Sequence, residues 1–110
     1  MEVKRGDIVR VSLPGDYGKP RPALVVQSDF FAAHPSTTML PITSELREAP
    51  LLRVTVEPND GNGLRAVSQV MIDKAMTLSS AKVQPRIGCL DADAMLQITR
   101  LLALFLGIAK

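Results

Sequence analysis

The sequence predicts a small, strongly curved antiparallel sheet or barrel with a single helix packed on it. Three observations predict this. Short apolar runs alternate with turn-forming residues through the first three quarters of the chain. Pro58-Asn59-Asp60-Gly61-Asn62-Gly63 is a dense turn signal, containing both Asp-Gly and Asn-Gly. After Asp91 the apolar period lengthens from two residues to roughly 3.6, the period of a helix.

Taken in order, Val9, Val11 and Leu13 alternate with Arg10 and Ser12, the pattern of a half-buried strand bounded by Gly6-Asp7 and Pro14-Gly15. Pro14–Pro20 carries two glycines and two prolines, and reads as an irregular loop. Pro22–Gln27 is a near-continuous apolar run, expected as a strand buried on both faces. Ser28 and Asp29 can cap a short helical turn over Phe30–His34. Thr37–Thr43 reads as a strand that Pro41 confines to an edge or a bulge, because proline donates nothing to a ladder. Leu52, Val54 and Val56 mark the next strand, Ala66–Ile72 its return, and Met76–Leu78 a continuation past Asp73. Asp91 is a plausible N-cap for a helix whose apolar face carries Met95, Ile98, Leu102 and Phe105.

Composition bounds the function without choosing it. The chain has 110 residues, enough for one domain spanning 1–110. Thirteen Lys and Arg against eleven Asp and Glu give a net charge of +2 and a pI near 9.0, which tolerates an anionic partner without demanding one. Hydrophobic residues at 46% predict a packed core rather than disorder. One cysteine, Cys89, excludes an internal disulfide framework, and with one histidine a structural metal site lacks ligands. No metal or other cofactor is expected. The longest uninterrupted apolar run, Leu101–Leu106, is too short to span a bilayer, so no membrane partner is expected. The opening MEVKRGDIVRV does not resemble a signal peptide, and a cytoplasmic location is expected.

Few residues invite chemistry. Cys89 sits between Gly88 and Leu90, a setting expected to bury it, and His34 reads as a solvated surface histidine. No Gly-x-Ser-x-Gly elbow and no phosphate-cradling Gly-rich motif is present. Gly18-Lys19-Pro20-Arg21-Pro22 stands out, because an arginine flanked by prolines has a stiffened backbone on both sides. A guanidinium fixed at a sheet edge suits a phosphate, although on pattern alone a plain surface ion pair is the favoured reading. Thr43 and Ser44, at the end of Pro41-Ile42-Thr43-Ser44, could hold an anionic oxygen or simply stabilise a turn. Asp73, after Val70-Met71-Ile72, is either a base or the partner of a nearby amide or arginine.

Together these segments resemble the MazF/PemK (Kid) family of bacterial type II toxins. The matching pieces are Lys4-Arg5-Gly6-Asp7-Ile8-Val9, Arg21-Pro22-Ala23-Leu24-Val25-Val26-Gln27, Leu40-Pro41-Ile42-Thr43-Ser44, Val67–Asp73 and the terminal helix. The Arg-Pro-x-Leu-Val-Val strand followed by Pro-x-Thr is the specific part. The resemblance implies a mainly β, SH3-like small barrel with a C-terminal helix, of the type shared by CcdB, MazF and Kid. It further implies a homodimer that cleaves single-stranded RNA without metal and is silenced by an acidic cognate antitoxin. The family's catalytic arginine and threonine carry over to Arg21 and Thr43, and Asp73 resembles the acidic position that serves some members as a base. The branch with that aspartate has an arginine two residues earlier, where this chain has Met71, and a histidine in the first loop, where this chain has Tyr17 and Lys19. Tyr17, Lys19, Ser44 and Arg47 are expected to contact RNA, with Arg53 as a further cation. Phe30, Phe31 and Phe105 are expected in the core or a dimer interface.

Two other readings share the fold. A gyrase poison resembling CcdB is suggested by Val25-Val26-Gln27-Ser28-Asp29 and by Leu106-Gly107-Ile108, but the tryptophan that ends that family is absent and Arg21-Pro22 has no role in it. An SH3-like binding module without activity is the third.

Overall fold

Alternation along the first strand divides the core in two. The computed structural model describes residues 2–13 and 19–110. In β1 (Asp7–Ser12), Ile8 turns to one side of the sheet, and Val9 and Val11 lie in a separate apolar cluster. β2 (Pro20–Val25) pairs antiparallel with β1, Ile8 facing Leu24 and Val11 facing Arg21. Leu24 joins Ile8 in the larger cluster, while Ala23 and Val25 join Val9 and Val11. The centre of β2 is therefore buried on both faces, as its apolar run predicts. The strand begins earlier than expected, at Pro20, and ends at Val25.

β3 (Ser36–Thr43) is not an edge strand. It pairs with β2 on one side, and on the other with both β5 (Ser68–Met71) and β6 (Met76–Ser79). Met39 faces Met76 and Ile42 faces Val70. Three residues of β3 thus span six of the opposing segment, and the extra three form the 3-10 turn Ile72–Lys74. Pro41 falls where β3 changes partner between β6 and β5, which is how a proline is accommodated inside the sheet. Met76–Leu78 continues along the same flank of β3 as expected, displaced by that turn.

β4 (Arg53–Val56) pairs with β5, and β7 (Gly88–Cys89) closes the far side against β1. The sheet path is β4-β5-β3-β2-β1-β7, with β6 beside β3. α1 (Ala92–Phe105) starts as predicted, the Asp91 side chain accepting from the Ala94 amide, and Ile98 is fully buried against the larger cluster.

Two expectations fail, and a third narrows. Phe30, Phe31 and Phe105 are not in the core, Phe30 being 88% exposed and the other two about half exposed, which leaves the dimer-interface alternative. Cys89 is exposed, since strand alternation turns it outward from its buried neighbours Gly88 and Leu90. Phe30 and Phe31 lie in a single 3-10 turn, Asp29–Phe31, shorter than the helical turn expected, with Ser28 as its cap. His34 is exposed as expected.

The turn Pro58–Gly63 is a brace anchored by one buried residue rather than a free hairpin tip. Asn62 is only 1% exposed, its Oδ1 accepting from the amides of Asn59 (3.1 Å) and Leu64 (3.0 Å) and its Nδ2 donating to the Glu57 carbonyl (2.9 Å). Gly63 has φ +69°, and a side chain on it would run into the Ile87 backbone. Gly88 lies so close to the Asn62 backbone that a Cβ would collide with it. The Cys89 amide donates to the Gly61 carbonyl (2.9 Å), locking the brace to β7. The brace thereby fixes the start of Leu64–Ala66, which forms one wall of the cleft described next.

Candidate active site

In the pairing of β2 with β3, Ala23 faces Pro41 and Leu24 faces Leu40. Continuing that register by two residues sets Arg21 opposite Thr43, on the same side of the sheet because side chains alternate with period two. Both residues line one cleft of ≈ 720 Å³ at the ends of these strands. Arg21 is exposed there, with Pro20 and Pro22 restricting its backbone on either side.

The Thr43 hydroxyl oxygen accepts from the Glu45 amide at 3.0 Å. The turn-stabilising bond anticipated for this residue is therefore present, and it leaves the hydroxyl proton to donate into the cleft. Ser44 and Lys19 also line the cleft, Lys19 exposed at the start of β2. Two further cations join them, Arg10 from β1 and Arg65 from the wall after the brace. Among the described residues the charged lining is thus Arg10, Lys19, Arg21 and Arg65 against one carboxylate, Glu45. That excess exceeds the net charge of the whole chain, +2. A concave surface of this sign attracts polyanions.

The other expected residues lie elsewhere. Arg47 lines a neighbouring cavity of ≈ 490 Å³ with Arg53 and Gln69, and its Nη2 donates to Glu45 Oε1 at 2.8 Å. This bond and the Arg47 charge hold the Glu45 carboxyl below its ordinary range, and the same bond and the Glu45 charge raise the Arg47 guanidinium above its own. Arg53 Nη1 is committed to the Glu45 carbonyl and to Gln69 Oε1, both at 3.1 Å. Asp73 sits in the 3-10 turn Ile72–Lys74, outside the cleft lining, its carboxylate 3.8 Å from Lys74 Nζ. Met71, two residues earlier, does line the cleft. Tyr17 lies outside the described residues.

Sequence reasoning missed Arg10, Arg65 and Glu45 as lining residues. Arg10 looked like the solvent face of an alternating strand, and only its pairing with Pro22 brings it to the motif strand. Arg65 follows the turn cluster by two residues, and nothing local shows that the brace swings it toward β2 and β3. Glu45, two residues past the threonine, was legible in principle from that spacing.

The fold and its strand-end cleft define a small SH3-like β-barrel of the kind found among bacterial toxins. A solved mycobacterial endoribonuclease in complex with its cognate antitoxin superposes with a TM-score of 0.82 over 98% of both chains at 24% identity. The Mycobacterium tuberculosis toxin MazF-mt6 superposes at 0.80, covering 94% of this chain and 99% of its own, again at 24% identity. These likenesses establish the architecture. Residues 4–106 match the family described as PemK-like, MazF-like toxins of type II toxin-antitoxin systems, and the chain belongs to that family. A probable endoribonuclease MazF from Mycolicibacterium smegmatis is 44% identical over 108 residues, which make up 97% of this chain and 99% of the relative.

Proposed function

We propose that this MazF-type toxin is an endoribonuclease that cuts single-stranded RNA, messenger RNA included, at selected sequences and without a metal ion. The observation that carries the reading is the placement of Arg21 and Thr43 on neighbouring strand ends of one cleft whose charged lining, among the described residues, is four cations to one carboxylate.

RNA carries its own nucleophile, the 2′-OH, beside each scissile phosphate. Attack on phosphorus, with the 2′-OH proton passing to solvent water, gives a pentacoordinate dianion, and its collapse, with a proton from water reaching the departing oxygen, leaves a 2′,3′-cyclic phosphate and a 5′-OH. Such a step needs positive charge and hydrogen-bond donors placed where the extra negative charge develops. Arg21 supplies both with a planar guanidinium fork. Thr43, with its oxygen pinned by the Glu45 amide, donates its proton to a phosphate oxygen and fixes the approach. Lys19, Ser44, Arg10 and Arg65 hold the flanking backbone. Asp73, outside the cleft lining, is assigned to contact with RNA that runs past Met71 rather than to proton abstraction inside the cleft. Arg47 and Tyr17 are assigned to contacts outside the cleft's centre.

The cationic cleft also suits an acidic antitoxin with a disordered tail, which would silence the toxin by covering the same surface. Pairing of two copies is part of this reading. It is supported by the apolar side chains Leu104, Phe105, Leu106 and Ile108, which remain exposed around the end of α1. Light scattering that returned a monomer at micromolar concentration would remove the dimer. Among the described residues no helix is long and apolar enough to cross a membrane, and the reading places the toxin in the cytoplasm with its RNA.

The test is incubation of purified protein with a long single-stranded RNA in EDTA, followed by primer extension and analysis of the new ends. Discrete cuts bearing 2′,3′-cyclic phosphate and 5′-OH ends are expected. Intact RNA together with blocked gyrase supercoiling would replace the reading with gyrase poisoning.

A further inference from the structure

We propose that Glu45 determines specificity: its carboxylate accepts a hydrogen bond from the exocyclic amine of a nucleobase in the cleft and disfavours uracil at that position. The inference rests on the RNA-cleaving reading above and concerns which sequences are cut.

Glu45 is the sole carboxylate among the described residues lining the cleft. A negative group there opposes phosphate binding, so its presence is best explained by a contact with something other than phosphate. Nucleobases offer that contact. A carboxylate accepts and never donates when ionised, and hydrogen bonding to Arg47 keeps Glu45 ionised at neutral pH. Cytosine, adenine and guanine each carry an amine. Uracil carries none and presents a carbonyl where cytosine has its amine, so a fixed carboxylate meets an acceptor instead of a donor.

The Glu45 backbone is held on both sides, and one hydrogen bond directs its exposed carboxylate. The Glu45 amide donates to Thr43 Oγ1 (3.0 Å), and its carbonyl accepts from Arg53 Nη1 (3.1 Å). Its Oε1 accepts from Arg47 Nη2 (2.8 Å), leaving Oε2 for a base. Arg47 is itself held by Gln69, which is only 6% exposed. Gln69 Oε1 accepts from the Arg47 amide and its Nε2 donates to the Arg47 carbonyl, both at 3.0 Å. Gln69 also faces Thr43 across the β3–β5 ladder, so the same strand pair sets both threonine and carboxylate. A single buried amide thus anchors the Arg47 backbone, two residues past Glu45, beside the residue proposed to orient the phosphate. Placement of this kind allows one hydrogen bond to discriminate between bases.

The experiment uses a randomised single-stranded RNA pool cut by wild-type protein, Glu45→Gln and Glu48→Gln, with the cut ends sequenced. Glu48→Gln removes the same charge from the same loop, and thermal melting confirms that each variant is folded. Wild type should show a position near the cut where uracil is depleted about fivefold or more. Glu45→Gln can donate as well as accept, so uracil there should return to within about twofold of its share in the pool. Glu48→Gln should keep the wild-type profile. The inference is overturned if Glu45→Gln cuts with the wild-type profile, if wild type shows no uracil depletion, or if Glu48→Gln relaxes the profile equally. Failure of wild type to cut any RNA would be a distinct result, overturning the RNA reading itself and this inference with it.

Discussion

Replacing Asn62 with alanine should destabilise the protein out of proportion to the size of the change. The side chain makes three hydrogen bonds to backbone groups, Asn59 N, Leu64 N and the Glu57 carbonyl, and the residue is 1% exposed. Each such bond contributes about 1 kcal/mol net, so the three together contribute about 3 kcal/mol, and groups left dry and unpaired raise the cost further. For a domain of this size about 1 kcal/mol moves the melting temperature by roughly 4 °C, giving a fall of roughly 12 °C. Asn62→Asp sharpens the test. It keeps the two acceptor bonds but sets an oxygen against the Glu57 carbonyl oxygen and buries a charge. Burial raises the pKa of the new carboxyl, and the protonated form regains a donor. Its stability is therefore greatest at low pH and is lost as pH rises through that elevated value. Thermal unfolding followed by circular dichroism between pH 4 and pH 8, a range of about four units, measures both effects. A melting temperature within about 3 °C of wild type for Asn62→Ala would refute the idea that this turn braces the cleft wall.

The remaining predictions concern the site. Thr43→Val removes the hydroxyl donor and the acceptor for the Glu45 amide, and should slow cutting about 100-fold, whereas Thr43→Ser should stay near wild type in a single-turnover assay. Asp73→Asn should cut within about tenfold of wild type because Asp73 lies outside the cleft lining, and a loss of about 1,000-fold would instead make it the base. Arg65→Ala should weaken RNA binding and lower the slope of log affinity against log salt by about 0.7, the value for one phosphate contact on a single strand.

What the sequence made legible follows from how locally each feature is encoded. Arg21 and Thr43 stood out because prolines and strand ends mark them within a few residues, and the register of β2 on β3 then sets them across from each other. The helix was legible from its period and from Asp91. Pro41 misled because proline normally implies an edge, and only the three-residue turn Ile72–Lys74 on the partner side reveals a central strand changing neighbours. The same turn carries Asp73 off the cleft, although an apolar run leading to it suggested a strand interior. Cys89 was misjudged because apolar neighbours do not determine which way a side chain faces. The turn Pro58–Gly63 was recognised, but its anchoring depends on Ile87 and Gly88, more than twenty residues away in sequence.

The central claim is that the Arg21 guanidinium stabilises the breaking phosphodiester more than it stabilises bound RNA. Single-turnover cutting in EDTA, measured alongside binding affinity for wild type and Arg21→Ala, tests this most directly. Loss of one such donor typically removes about 2.7–4 kcal/mol of transition-state stabilisation, so the rate constant should fall about 100- to 1,000-fold, with affinity reduced far less and the melting temperature unchanged. A folded Arg21→Ala protein cutting within about threefold of the wild-type rate would contradict the claim.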